Sequence, residues 1–257
     1  MKNKNASSQL QKTPFRPRFA CFTQFFKISL DFNEHCSVGL RIHPAIMTIS
    51  DRKQRHKEEL KDTILEAARI LFLEKGYDAT SMRNIAEKIE YSPATIYLHY
   101  KDKAEIFYAL HKEGFKLLVN YFKTLANVSH PFERLKAMGH VYVNFAIENP
   151  DFYKLMFVMD EPLDVINIDQ NKEWEEGEDA FRFLLETVMA CQQQGYFKGI
   201  EPNGLSFMIW SAMHGLCTLH TSGHLEHVQQ VKTKLPGVKS ITTYTLETFI
   251  AILEKVK

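Results

Sequence analysis

Between Ser92 and Lys103 the sequence gathers hydroxyls, flat rings and ammonium groups over one short stretch: Ser92, Thr95, Tyr97, His99, Tyr100, Lys101 and Lys103. These residue types do not form a nucleophile–base pair. They are groups that hydrogen-bond phosphate oxygens and base edges. Thr80, Ser81 and Arg83 add two hydroxyls and a guanidinium upstream. A third cluster carries different chemistry. His220, His224 and His227 stand at i, i+4 and i+7 with Glu226 among them, a spacing that can offer imidazole nitrogens to a metal. Ser222–Gly223 falls inside that run as a helix end would, so surface histidines explain it better and no metal is expected. Nothing resembles a nucleophile elbow, a phosphate-binding glycine loop or a paired-carboxylate site. Neither catalysis nor a cofactor is expected.

The elements that must position these side chains are helical. From Lys57 onward, Ile64, Ala68, Leu71 and Phe72 recur at helical spacing, and Gly76 supplies a stop. Thr80 or Ser81 can cap a second helix with the apolar face Met82, Ile85, Ala86 and Ile89. Glu90–Tyr91 breaks it, and Ser92–Pro93 reads as an N-cap followed by a first-turn proline. The third helix, Ala94 to about Tyr100, is very short. Two short helices joined by a tight turn are what a helix-turn-helix requires, the second lying in a major groove about 12 Å wide. Ile96 would face the core with Ile85 and Ile89, leaving Thr95, Tyr97 and His99 to reach outward. A small helical bundle can show the same pattern. Further helices are expected from Lys103 through Phe122, Pro131 to Glu148, Pro150 to Met159, Ala180 to Gln194, Pro202 to Thr221 and Thr242 to Val256. The fold class is all-α, with about nine helices.

The run Ala79-Thr80-Ser81-Met82-Arg83-Asn84-Ile85-Ala86-Glu87-Lys88, with Thr95-Ile96-Tyr97-Leu98-His99-Tyr100-Lys101-Asp102-Lys103 after it, resembles the DNA-binding domain of TetR/AcrR-type transcriptional regulators. Ala67-Ala68 through Phe72 to Gly76-Tyr77 is similar to that domain's first helix. The resemblance implies a homodimer that represses, or less often activates, from a palindromic double-stranded operator. It also implies a C-terminal domain that binds a small effector. On it, the DNA-binding set is Thr80, Ser81, Arg83, Ser92, Ala94, Thr95, Tyr97, His99, Tyr100 and Lys103. One departure stands out: Glu90 occupies a turn position usually held by glycine, and a positive φ there would cost of order 1 kcal/mol. Trp210-Ser211-Ala212-Met213-His214-Gly215 resembles the Trp…His-Gly pattern of one C-terminal subtype, in which the last two helices form the dimer interface. Glu148 through Phe157 resembles its junction between helices 5 and 6.

Soft methionines and aromatic rings on the C-terminal helices are mostly core, and a subset can wall a cavity for an apolar effector. The candidates are Phe122, Met138, Tyr142, Phe145, Tyr153, Met156, Phe157, Met189 and Met213. His214 is expected to make a core hydrogen bond. The alternative reading is a helical interaction or adaptor protein that no longer binds DNA, suggested by Glu90 and the near-neutral charge. The Thr95, Tyr97 and Lys103 set favours the DNA-binding reading.

Composition sets the frame. The 257 residues are 45% hydrophobic and 25% charged, with net charge +1, as in a soluble globular chain. That charge is uneven: residues 1–46 sum to +5, 47–116 to +1 and 117–257 to −5. An anionic partner is thus drawn to the N-terminal half. Residues 1–56 read as a basic tail, with Met47 as a possible start of translation. Residues 57–116 read as the helix-turn-helix domain, and 117–257 as the ligand-binding and dimerisation domain. Leu205 to Leu219, the least polar stretch, falls short of the roughly 18 apolar residues of a membrane span. The four cysteines show no C-x-x-C spacing, so neither a disulfide framework nor a zinc site is suggested. Phe19 to Leu30 is too interrupted for a secretory signal. A cytoplasmic location is expected.

Overall fold

The computed structural model describes residues 48–159, 175–232 and 237–256. Among these residues the chain forms ten α-helices and one short 3-10 turn, with no strand. Most of the expected tail, and the acidic segment at 160–174, lie outside the described residues.

The first helix, α1 (Ile49–Lys75), begins eight residues before Lys57. Thr48 starts it: its hydroxyl accepts from the Asp51 N–H, and the Asp51 carboxylate accepts from the Thr48 N–H, a reciprocal cap that satisfies two free donors. Residues 49–59 are exposed, so apolar periodicity cannot reveal them. Pairs one turn apart, Gln54 with Glu58 and Arg55 with Glu59, support this polar extension. Gly76 ends the helix at φ +84°, donating its N–H to the Phe72 carbonyl. Three further helices complete the N-terminal unit: α2 (Met82–Lys88), α3 (Pro93–Tyr97) and the first half of α4 (Lys103–Lys123). Its core joins Ile64, Ala68 and Phe72 of α1 to Ile85 of α2, Ile96 of α3 and Ile106, Phe107 and Leu110 of α4. Each of these side chains other than Ala68 contributes roughly 1.5–3 kcal/mol by leaving water.

The second half of α4 enters a larger bundle. It is built with α5 (Pro131–Glu148), α6 (Pro150–Phe157), α7 (Glu175–Gln193), α8 (Pro202–Thr221), α9 (His224–Lys232) and α10 (Ile241–Glu254). Phe122, Phe132, Phe145, Tyr153, Val188 and Leu246 lie in its core. The short α6 straddles both cores: Leu155 belongs to the first, Tyr153 and Met156 to the second. Arg69 of α1 pairs with Asp151 of α6, and a glycine lets α4 and α6 approach closely. A Cβ on Gly114 would lie 2.5 Å from Met156 Sδ and 3.2 Å from Phe152.

His111 of α4 is buried between the Phe107 and Phe115 rings and donates to the Met156 carbonyl. Burial pushes its pKa down to about 4. Above about pH 6.5 neither folded nor unfolded chain protonates it, and its contribution is constant. Between about 6.5 and 4 the unfolded chain takes a proton that the folded chain refuses, so stability falls with pH. Below about 4 both forms are protonated and the loss levels off, at a total on the order of 3 kcal/mol. Thermal melts from pH 7 to 4 should therefore show a decline in midpoint that His111→Gln, which keeps a donor without titrating, makes shallower. Equal slopes would remove His111 as the cause.

Candidate functional site

The turn between α2 and α3 is built from local hydrogen bonds. Ser81 caps α2: its hydroxyl accepts from the Asn84 N–H, and the Asn84 side-chain oxygen accepts from the Ser81 N–H. Thr80 takes no part in this cap. It is 2% exposed, and its hydroxyl faces the Gly76 carbonyl at 2.8 Å and the Leu71 carbonyl at 3.2 Å. Its side chain braces the α1–α2 turn from inside rather than lying on the exposed surface of the turn. After α2, Tyr91 donates to the Ala86 carbonyl at 3.0 Å across Glu90, which stands at φ +61°. That is the left-handed conformation which disfavours a glutamate. Glu90→Gly should therefore stabilise the chain by about 1 kcal/mol, raising its thermal midpoint by about 2–4 °C. A lower midpoint by calorimetry would contradict this account of the turn.

Ser92 caps α3 by accepting from the Thr95 N–H, with the two hydroxyls 2.9 Å apart, and Ile96 anchors the helix in the core. The outward surface holds Ser92, Ala94, Tyr97 at 55% exposure and Leu98 at 79%, with Thr95 partly covered. On α2, Ser81 is exposed and Arg83 extends into solvent paired with Glu87 at 2.9 Å. Three expected contacts are less free. Tyr100 is buried, Lys61 lies 5.8 Å from its ring centroid, and burial pushes its hydroxyl up to about 12. His99 is half-buried, and partial burial, then Lys57 and Lys61, lower its pKa. The Lys103 ammonium bonds the Tyr77 carbonyl at 2.7 Å and sits 4.0 Å from that ring's centroid. Lys103 thus braces the junction of α1 and α4. Leu98 was absent from the expected set, because a leucine within an apolar helical pattern reads as core.

The C-terminal bundle holds a cavity of about 590 Å³ among α4, α5, α6, α7, α8 and α10. Five of the nine expected wall residues line it: Phe122, Met138, Tyr142, Phe157 and Met213. The other four are elsewhere. Phe145 is sealed in the core, and Tyr153 is buried with its hydroxyl 3.0 Å from His214 Nδ1 and 3.2 Å from the Thr218 hydroxyl. Met156 fills the space over Gly114, and Met189 faces solvent at 46% exposure. Sequence reasoning missed Phe115, Phe132, Phe181, Trp210 and Phe249 as wall residues. Helical spacing marks a residue as inward-facing but does not separate core from cavity wall. Of the histidine cluster, His220 Nδ1 lies 2.7 Å from Glu226 and 3.0 Å from the Thr242 hydroxyl, while His224 bonds Ser222.

The outer sides of α8 and α10 carry a further surface. Met208, Ser211, Gly215 and Leu219 recur on one side of α8, and Tyr244, Thr248, Ala251 and Ile252 on one side of α10. Met208, Leu219, Tyr244 and Ile252 are exposed apolar side chains, and a Cβ on Gly215 would meet nothing within 4 Å among the described residues. Among the described residues, no helix is long and apolar enough to cross a membrane.

Two family profiles match this architecture. That of bacterial regulatory proteins of the tetR family covers residues 64–110, and that of the tetracyclin repressor-like C-terminal domain covers 135–235, together more than half the chain. The Transposon Tn10 TetC protein of Escherichia coli is 28% identical over 38% of this chain and 52% of its own length. IcaR of Staphylococcus epidermidis, a negative transcriptional regulator of the biofilm operon icaADBC, is 36% identical over 24% of this chain and 32% of its own. The chain thus spans about half or less of these curated relatives' lengths. Among solved structures, the fatty acid degradation regulator FadR of Bacillus halodurans is similar at TM-score 0.58 and 17% identity, over 75% of this chain and 93% of that one. A tetR-family regulatory protein of Rhodococcus RHA1 is similar at TM-score 0.56 and 18% identity, over 76% and 96%. At those identities the likeness is one of fold.

Proposed function

We propose that this chain, which belongs to the TetR family of regulators, is a homodimeric transcriptional repressor that releases a palindromic operator when a small apolar effector fills its C-terminal cavity. The observation that carries the reading is one continuous helix with two neighbourhoods. The first half of α4 packs in the same core as α3, and its second half supplies Phe115, Leu118 and Phe122 to the cavity wall. A ligand can shift such a dimer only through its differential affinity for two states, so it must prefer the one whose α3 spacing misfits the operator. The exposed stripes on α8 and α10 support a two-fold, self-complementary contact. A DNA partner implies the cytoplasm.

On DNA, Tyr97 is assigned to a phosphate and Arg83, Thr95 and Leu98 to base edges. The exposed Leu98 side chain suits the thymine methyl, the apolar feature of the major groove. The test is selection of bound fragments from the source genome with the purified protein, followed by variants on the recovered site. Tyr97→Phe should weaken binding about tenfold or more for every sequence alike, since a hydrogen bond to a charged oxygen is lost. Leu98→Ala should instead flatten the preference at one base pair by about 1–3 kcal/mol. Unchanged affinity in both variants would refute the assignment of this helix.

A further inference from the structure

We propose that the C-terminal cavity takes an electrically neutral ligand, a ring-containing hydrocarbon body bearing a single hydroxyl or carbonyl oxygen that seats against Tyr142 and Trp210. This rests on the reading of that cavity as the effector site and adds the chemical class. Lys136, Glu178 and Arg182 are the charged residues among the cavity's described lining. Lys136 already holds Glu133 at 2.6 Å, Arg182 already holds Asp179, and Glu178 is exposed. Among the described residues, both lining bases are thus paired at the exposed rim, and no base or acid stands unpaired in the interior to neutralise a ligand charge. Inside the protein an uncompensated charge is very unfavourable, so a charged head would be excluded from the interior.

Among the described uncharged lining side chains, the polar groups are the Tyr142 hydroxyl and the Trp210 indole N–H. Trp210 donates to Tyr142 across 3.4 Å, at the long end of a hydrogen bond, so a ligand oxygen can take that donor at little cost. Tyr142 is itself buried, so this wall presents one fixed polar point to whatever enters. Phe115, Phe122, Phe132, Phe181 and Phe249 offer ring faces and edges that favour offset or edge-on contact with flat ligands. The volume of 590 Å³ equals that of about twenty liquid waters, room for on the order of twenty non-hydrogen atoms.

The test uses the full-length purified protein without DNA and the neutral dye Nile red as probe. Four competitors share one skeleton: phenanthrene and its methyl ketone, carboxylate and trimethylammonium derivatives. The dye should bind with enhanced fluorescence, and Met138→Trp, which puts an indole into the cavity, should abolish that signal. The ketone should displace the dye at concentrations about tenfold or more below those of either charged analogue. In Trp210→Phe and Tyr142→Phe the ketone's advantage over phenanthrene should shrink to within about twofold. Displacement by the carboxylate or the ammonium at concentrations equal to the ketone's would overturn the neutral-ligand inference while leaving the cavity reading intact. A dye signal that is absent, or unaffected by Met138→Trp, would overturn the cavity reading and this inference with it.

Discussion

Gly215→Arg should convert the protein to a monomer in sedimentation and lower its affinity for a palindromic site by about a hundredfold or more, with its helical content unchanged. Gly215 lies between Met208 and Leu219 on the outer side of α8, where an added Cβ has no described atom of the chain within 4 Å. An arginine is therefore accommodated by the isolated subunit. In a two-fold contact formed by these stripes, each copy's guanidinium is pressed against the partner and loses its water, which is unfavourable for an unpaired charge. The loss on DNA exceeds anything one contact supplies, because joining two reading heads turns the second binding event into an intramolecular one, worth about 10²–10⁴ in affinity. Thr221→Arg, exposed on another side of α8, is the control and should remain dimeric. A dimeric Gly215→Arg protein would move the interface elsewhere.

Met138→Trp should leave operator binding in place and abolish release by an effector. Met138 is 4% exposed and lines the cavity from α5, away from the α1–α3 unit, so an indole there occupies ligand space and leaves the recognition face intact. Met156→Trp gives a different result despite the similar chemistry. Met156 fills the close approach of α6 to α4 over Gly114, where even a single added carbon would lie 2.5 Å away. Overpacking at such a place costs about 1–3 kcal/mol. That variant should melt earlier and lose function generally. The check is anisotropy of labelled operator against effector concentration, together with thermal melts. A normal effector response in a well-folded Met138→Trp protein would place the ligand outside this cavity.

The helix-turn-helix was legible in the sequence because its signals are local. Ser92–Pro93 announces a helix start, and Ile85 and Ile96 fix which sides turn inward, whereas the positive φ at Glu90 was suggested only by the resemblance, which places a glycine there. The side-chain assignments on it were less legible. Thr80 and Ser81 are adjacent hydroxyls with equal capping chemistry, and only the packing of α1 against the turn decides that one is buried and the other exposed. Lys103 reads as a free cation until Tyr77, 26 residues earlier, is brought beneath it. In the C-terminal half, one inward stripe supplies both core and cavity. Tyr142 lines the open space while Phe145, one turn on, is sealed, a distinction set by neighbouring helices. The N-terminal extension of α1 was invisible for the opposite reason: its residues bury nothing.

The central claim is that the α3 helices of two copies read DNA together. Hydroxyl-radical footprinting of the purified protein on its selected site tests it most directly. Two protected patches on one side of the duplex are predicted, with centres about 34–36 Å apart, one helical turn, and symmetric about the centre of the palindrome. In Tyr97→Phe both patches should weaken together. A single patch, protection that follows no symmetry, or no protection at modest salt would contradict the account.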